Sequence, residues 1–282
     1  MATIKNEGST CYINSVIQML LTDEDFIICL DKEEYKRIIN LYKRGNILSI
    51  IDFLSYYKRI NRNFIIGEQG DSDECLTYLL DDLTDKSLFQ IKIKQKIYTK
   101  NGNVFDISEM ITYENFISLP FRDSLQESIN SLFSQKDEEK YIDNGIEIYS
   151  PKIEYEPCNS PKFLFIHLKR FDFMNNRKID NDIIIHNYVL YYGKKYEIIS
   201  YIIHIGDFYS GHYITIKKYD NKWILFDDAR SQGIINQEDV NKFQSIGYIF
   251  LLKIIDDANF NEEQIIKYSP DSTISETIVI EK

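Results

Sequence analysis

The apolar pattern of this 282-residue chain changes character once, and that change limits the folds open to it. Before Leu88-Phe89-Gln90, apolar residues recur three and four apart, as helices with one buried face require. The spacing predicts a helix over 11–22 and two more over 31–44 and 46–60, with Leu41, Ile47, Ile50, Ile51 and Leu54 as buried candidates. A further helix is opened by Asp71 or Ser72, has acids in its first turn, and buries Leu76, Leu79, Leu80 and Leu83. Beyond residue 88 the signals are those of strands. Ile91, Ile93 and Ile97 alternate with polar residues, and Asn101-Gly102 is a hairpin turn signal. A short helix is expected over 124–134 and a polar excursion over 136–150. The run Phe163-Leu164-Phe165-Ile166-His167-Leu168 is apolar but for one histidine and reads as a central strand. Further strands fall near 187–192, 196–204, 211–219, 222–227 and 247–254. Helices first and strands afterwards give an α+β fold, with a helical lobe over about 1–85 and a β lobe over about 86–255. The remaining tail, 256–282, is acidic and weakly periodic, and partial disorder is expected there. No internal repeat or linker divides the chain.

Charge and cysteine spacing remove several function classes. Lys and Arg total 33 against 44 Asp and Glu, a net charge of −11. That excess argues against a nucleic-acid partner, which needs a basic face, and suits a partner presenting basic residues. Cys11, Cys29, Cys75 and Cys158 form no Cys-x-x-Cys pair, so neither a zinc knuckle nor a redox dithiol is visible, and no metal or cofactor is expected. Reduced thiols suit an intracellular setting, cytoplasmic or nuclear. Residues 1–6 lack an apolar segment, and no run of about 18 apolar residues occurs, so neither a signal peptide nor membrane insertion is expected.

The chemistry is concentrated in two places. In Asn6-Glu7-Gly8-Ser9-Thr10-Cys11, small residues lead into a cysteine, and Ile13, Val16, Ile17 and Leu20 continue as a helix. Thr10 is a good N-cap residue, which sets Cys11 in the first turn, where the positive end of the helix favours a thiolate nucleophile. Asn6 lies close enough in sequence to donate its side-chain amide to a developing oxyanion. Among the histidines, His167 sits in an apolar run and reads as a core residue, and His186 carries no signal. His204 and His212 flank a glycine-bearing loop, and Gly211 lets another backbone approach His212. The strand after His212 and the strand 222–227 form a hairpin turning near Asp220-Asn221, which brings Asp227 opposite His212. Cys11, His212 and Asp227 then make a nucleophile, a base and an orienting acid. A small buried cysteine and a surface hairpin would leave the same spacing, and the spacing alone does not choose.

The motifs choose. Asn-x-Gly-x-Thr-Cys-Tyr-x-Asn-Ser-x-x-Gln-x-Leu, beginning at Asn6, resembles the cysteine box of the ubiquitin-specific proteases, a papain-like class of deubiquitinases. Gln69-x-Asp71-x-x-Glu74 resembles their Gln-Asp box, and Phe163 to Phe171 the strand preceding their histidine box. His204-x-Gly206, Gly211-His212-Tyr213 and Trp223-x-x-Phe226-Asp227-Asp228 resemble that box itself. Five blocks in family order across 4–254 make the resemblance specific. It implies a papain-like cysteine protease fold, with a helical thumb against a mainly antiparallel β palm and reduced fingers, in a catalytic domain over 1–255. By the same resemblance Cys11 is the nucleophile, His212 the base, Asp227 the orienting acid and Asn6 the oxyanion donor, with Asp228 helping near it. Gln69, Asp71 and Glu74 lie on the substrate side, the acids facing the basic tail of ubiquitin, and Gly211 and Tyr213 wall the channel for its paired glycines. The implied partners are ubiquitin and ubiquitinated proteins, handled by a monomer. Deconjugation of another ubiquitin-like modifier, or a non-catalytic ubiquitin-binding module, are the alternatives. Ser9 departs from the family, where asparagine is commonest at that position, and the region of the fingers lacks the family's zinc-binding cysteine pairs.

Overall fold

A computed structural model describes residues 2–101, 104–134, 136–137, 140–143, 146–149, 152–232 and 236–255. The tail over 256–282 and the glycine of the expected Asn101-Gly102 turn lie outside them. Helices come first: α1 (Cys11–Leu20), α2 (Glu24–Ile27), α3 (Glu33–Lys43), α4 (Ile51–Ile60) and α5 (Ser72–Asp82). Strands β1 (Ile91–Asn101), β2 (Val104–Glu114) and β3 (Ile117–Pro120) follow, then α6 (Leu125–Leu132). The expected polar excursion contains short strands, β4 (Lys136–Asp137), β5 (Lys140–Asp143) and β6 (Ile146–Tyr149). They are followed by β7 (Lys152–Pro157), β8 (Phe163–Lys169), β9 (Phe171–Asp172), β10 (Arg177–Lys178) and β11 (Val189–Tyr191). The chain then lays down β12 (Lys194–Gly206), β13 (Gly211–Tyr219), β14 (Lys222–Asp227), β15 (Arg230–Gln232), α7 (Gln237–Ser245) and β16 (Ile249–Ile254).

The palm is one sheet in the order β15-β14-β13-β12-β16-β8-β3, with β11 paired to β12. Its pairs are antiparallel apart from β3 against β8. Both faces are covered, which explains the uninterrupted apolar runs. Phe163, Phe165, Ile249 and Leu251 face the helices α1–α5, while Leu164, Ile166, Phe250 and Leu252 face the second core with Leu125 and Ile129 of α6. A separate sheet, β2-β1-β7-β4, is built on the two eleven-residue strands β1 and β2.

All ten residues of α1 are buried, so it is a core helix rather than a half-exposed one. The expected stripe of α5 is buried at Leu76, Leu79, Leu80 and Leu83. The middle helices differ from expectation: Ile50 and Leu54 are buried, but Leu41 is 41%, Ile47 63% and Ile51 59% exposed. The reason is that α4 begins only at Ile51 and packs through Phe53, Leu54, Tyr56 and Tyr57. Phe53 and Tyr56 meet Tyr35 of α3 edge-on at centroid distances of 5.6 and 5.8 Å, and these rings outweigh the aliphatic positions.

Candidate active site

Cys11 is the first residue of α1 and is buried. Thr10 precedes it but gives the helix no side-chain cap. Its hydroxyl accepts from the Glu7 N–H at 3.0 Å instead, within a loop where Gly8 (φ 96°) and Ser9 (φ 54°) both adopt left-handed backbone. The Asn6 side-chain oxygen closes that loop, accepting from the N–H groups of Gly8 at 3.0 Å and Thr10 at 3.1 Å. The first-turn amides beside Cys11 are therefore not taken by the Thr10 hydroxyl, which suits an anionic sulfur or oxygen there.

His212 is the second residue of β13, and its Nε2 lies 2.6 Å from Asp227 Oδ1. With Nε2 bound to the carboxylate, Nδ1 is left for the sulfur. The hydrogen bond to Cys11, with the Asp227 carboxylate behind, raises the His212 pKa to about 9 despite partial burial. Asp227 reaches the ring differently from expectation. Tyr219 pairs with Lys222 across the turn and Thr215 with Phe226, so one further step sets Asp227 opposite Ile214, not His212. Residues 212 and 214 share a face, and the carboxylate meets the ring diagonally.

Asp228 turns the other way. It has a left-handed backbone (φ 50°) just past the end of β14, and its main-chain oxygen accepts from the Ile4 N–H at 3.0 Å. Its carboxylate accepts from Asn6 Nδ2 at 2.8 Å and from Asn14 Nδ2 at 2.6 Å. Asn14 was not among the expected site residues, yet the sequence holds a signal for it. Cys11, Asn14, Ser15 and Gln18 fall at i, i+3, i+4 and i+7, one polar stripe on an otherwise apolar helix. Among the described residues, His212, Asp227 and Asp228 offer ligand atoms within 4.8 Å of one another. His212 Nε2 is bonded to Asp227 Oδ1, and the two Asp228 oxygens accept from the two asparagines.

The Gln-Asp segment meets the start of β13. Gln69 Nε2 donates to the Gly211 carbonyl at 3.4 Å. Asp71 caps α5 through the Asp73 N–H at 2.8 Å, and both its oxygens accept from the Tyr248 hydroxyl at 3.0 Å. Burial raises its pKa, opposed by these bonds and by one to Tyr213. The carboxylate is thus turned inward, whereas Glu74, on the first turn of α5, is exposed. Gly211 is fixed by its neighbour: a Cβ there would sit 2.1 Å from Nε2 of the buried His204. His204 itself packs between the rings of Phe171 and Tyr213, and burial lowers its pKa to about 4. His167 is a buried histidine, with Nδ1 2.6 Å from Ser118 Oγ and 3.2 Å from Asp73.

Known proteins share this arrangement of elements. The module described as "SAGA Ubp8/Sgf11/Sus1/Sgf73 DUB module bound to ubiquitin aldehyde" matches with a TM-score of 0.71 at 20% identity, covering 90% of this chain and 70% of that one. The same module bound to monoubiquitin also gives 0.71, at 19% identity, covering 90% and 69%. In sequence, Ubiquitin carboxyl-terminal hydrolase 23 of Arabidopsis thaliana is 23% identical over 282 residues, 81% of this chain but 33% of that protein. Ubiquitin carboxyl-terminal hydrolase 4 of the same plant is 23% identical over 317 residues, 85% of this chain and 86% of its own length. The chain thus spans about a third of the first relative and most of the second. The family model for ubiquitin carboxyl-terminal hydrolase matches residues 2–252, from the loop ahead of Cys11 to the last strand of the palm, and the chain belongs to that family.

Proposed function

We propose that this chain is a thiol-dependent deubiquitinase that hydrolyses the isopeptide or peptide bond after the C-terminal glycine of ubiquitin. The observation that carries the reading is His212, bonded to the Asp227 carboxylate at 2.6 Å and near enough to Cys11 for the sulfur to raise its pKa. Cys11 gives its proton to His212 as its Sγ attacks the glycine carbonyl carbon, and the carbonyl electrons move onto oxygen. An amide nitrogen carries two N–H groups; Asp228 holds one from Asn6, and the other supports the oxyanion. Collapse expels the amine, which takes a proton from His212, and leaves a thioester on Cys11. Water attacks the thioester as His212 accepts its proton, and the departing sulfur frees a glycine carboxylate. Asp227 holds the tautomer whose Nδ1 faces the sulfur.

Substrate recognition follows the same division. Glu74 faces the basic tail of the modifier, and Asp71 shapes the wall on which Gln69, Gly211 and Tyr213 meet. Gly211 and Tyr213 border the slot for the paired glycines, which excludes any Cβ. The four cysteines are all free thiols, in keeping with a reducing compartment. The test is hydrolysis of a fluorogenic C-terminal amide of ubiquitin beside the same amide of other ubiquitin-like modifiers. The reading expects turnover of the ubiquitin amide and little of the rest; preference for another modifier replaces the substrate, and no turnover of any overturns the reading.

A further inference from the structure

Lys217 lies on β13, five residues beyond His212, and is fully buried, with no carboxylate at its amine among the described residues. Its Nζ donates to the main-chain oxygens of Gln18 at 2.9 Å and Leu21 at 3.2 Å, and to the Tyr42 hydroxyl at 2.7 Å. Tyr42 passes its own hydrogen to Gln18 Oε1 at 3.3 Å, so the three N–H groups of an ammonium and the hydroxyl each have an acceptor. The rings of Tyr42 and Phe226 face the amine at 4.8 and 4.9 Å. Two of the acceptors belong to the C-terminal turn of α1, where the negative end of the helix favours a cation. Burial pushes the other way and holds the Lys217 pKa well below the usual lysine range.

The placement gives this group a task. Cys11 stands at the first residue of α1 and His212 at the start of β13. From Cys11 to Leu21 the helix runs about 15 Å. From His212 to Lys217 the strand runs about 17 Å. The two elements lie alongside, joined at the Cys11–His212 end, in the middle by Thr215 Oγ1 to the Ser15 oxygen at 2.8 Å, and at the far end by Lys217. Sliding or rotation of α1 against β13 would move the sulfur relative to the ring, and the far clamp opposes both. We propose that Lys217 is a positioning residue for the reacting pair, fastening the last turn of α1 to β13 so that Cys11 and His212 stay in register. The proposal rests on the reading of Cys11 and His212 given above.

The test is the variant Lys217→Met, which keeps the stem and removes the donors, assayed on a fluorogenic C-terminal amide of ubiquitin. The expected result is a fall in kcat of about ten- to a hundredfold with KM within about twofold, since misplacement of the pair affects chemistry more than binding. Ile129→Ala, on α6 in the opposite core, serves as the comparison for stability: it lowers Tm but keeps kcat where it is folded. Wild-type kcat in folded Lys217→Met, or an equal fall in kcat in Ile129→Ala, overturns the proposal. Should Lys217→Met not fold, Tyr42→Phe decides, because it removes the α3 hydroxyl that accepts from Lys217 and donates to Gln18 while leaving every residue of α1 and β13 in place. A kcat fall of about threefold at unchanged KM is then expected, and unchanged kcat counts against it. Failure of the underlying reading is separately visible, as turnover in Cys11→Ser.

Discussion

The group around His212 and the Gln-Asp segment ahead of α5 both carry paired acids, and they hold them differently. In the first, Asp227 and Asp228 point to opposite sides: one binds the His212 ring on the neighbouring strand, the other Asn6 and Asn14 from the start of the chain. In the second, Asp71 is bonded inward to its own helix and to Tyr248, while Glu74 is exposed. Neighbouring carboxylates are therefore not interchangeable. Beside His212 both are held by hydrogen bonds, which under the proposed function fix geometry for chemistry. In the Gln-Asp segment Asp71 supports structure, and Glu74, exposed to solvent, is the acid proposed to meet a charged substrate.

Substitutions at the two regions should separate along that line. The largest effect is expected for Cys11→Ser, which should abolish hydrolysis while Tm and ubiquitin binding persist. Asp227→Ala should follow, lowering kcat by about three to four orders of magnitude with a smaller change in KM. Asp227→Asn should be milder, because an amide oxygen still accepts from the ring N–H. Asp228→Ala should cost about ten- to a hundredfold in kcat, through the loss of Asn6 and Asn14 as ordered groups. A dead Asp228→Ala beside a nearly active Asp227→Ala would reverse the division at the centre.

The wall should give smaller and split effects. Glu74→Ala should raise KM for ubiquitin substrates by about tenfold and leave Tm unchanged, as loss of a charge at a contact does. It should also spare alkylation of Cys11 by iodoacetamide. Asp71→Ala should instead lower stability by about 1–2 kcal/mol through the lost cap, visible as a drop in Tm. If Asp71→Ala weakens substrate binding at unchanged Tm, the inward reading of its carboxylate fails.

The smallest expected effect is on stability against pH. The folded His212 pKa, about 9, lies above its ordinary value of 6.5. Its proton therefore contributes stability fully below pH 6.5, and that contribution is lost as pH rises through 9. Thermal melts from pH 6 to 10 should decline over this window, and His212→Gln should flatten that part of the profile. Activity should fall over the same alkaline range as the proton for the leaving amine disappears.

Much of this was legible in sequence where the signal is local. The α5 stripe and the strand of Phe163 to Leu168 follow from spacing alone, because burial on one face or both leaves a direct mark. Leu41, Ile47 and Ile51 misled because aromatic packing between α3 and α4 chose a different face. The diagonal approach of Asp227 to His212 depends on a register that the two-residue turn sets, which periodicity cannot number. Asn14 and Lys217 act on partners some 200 residues away in sequence, so only their residue types, polar on a buried helix and basic in an apolar strand, hinted at them.

The central claim is that Cys11, activated by His212 and Asp227, is the nucleophile among the four free cysteines. Reaction with ubiquitin bearing a C-terminal electrophile, followed by peptide mapping of the adduct, tests it most directly. The account predicts one ubiquitin per chain attached to Cys11, and no adduct in Cys11→Ser. Attachment to Cys158, the half-exposed thiol, or an undiminished adduct in Cys11→Ser, would contradict it.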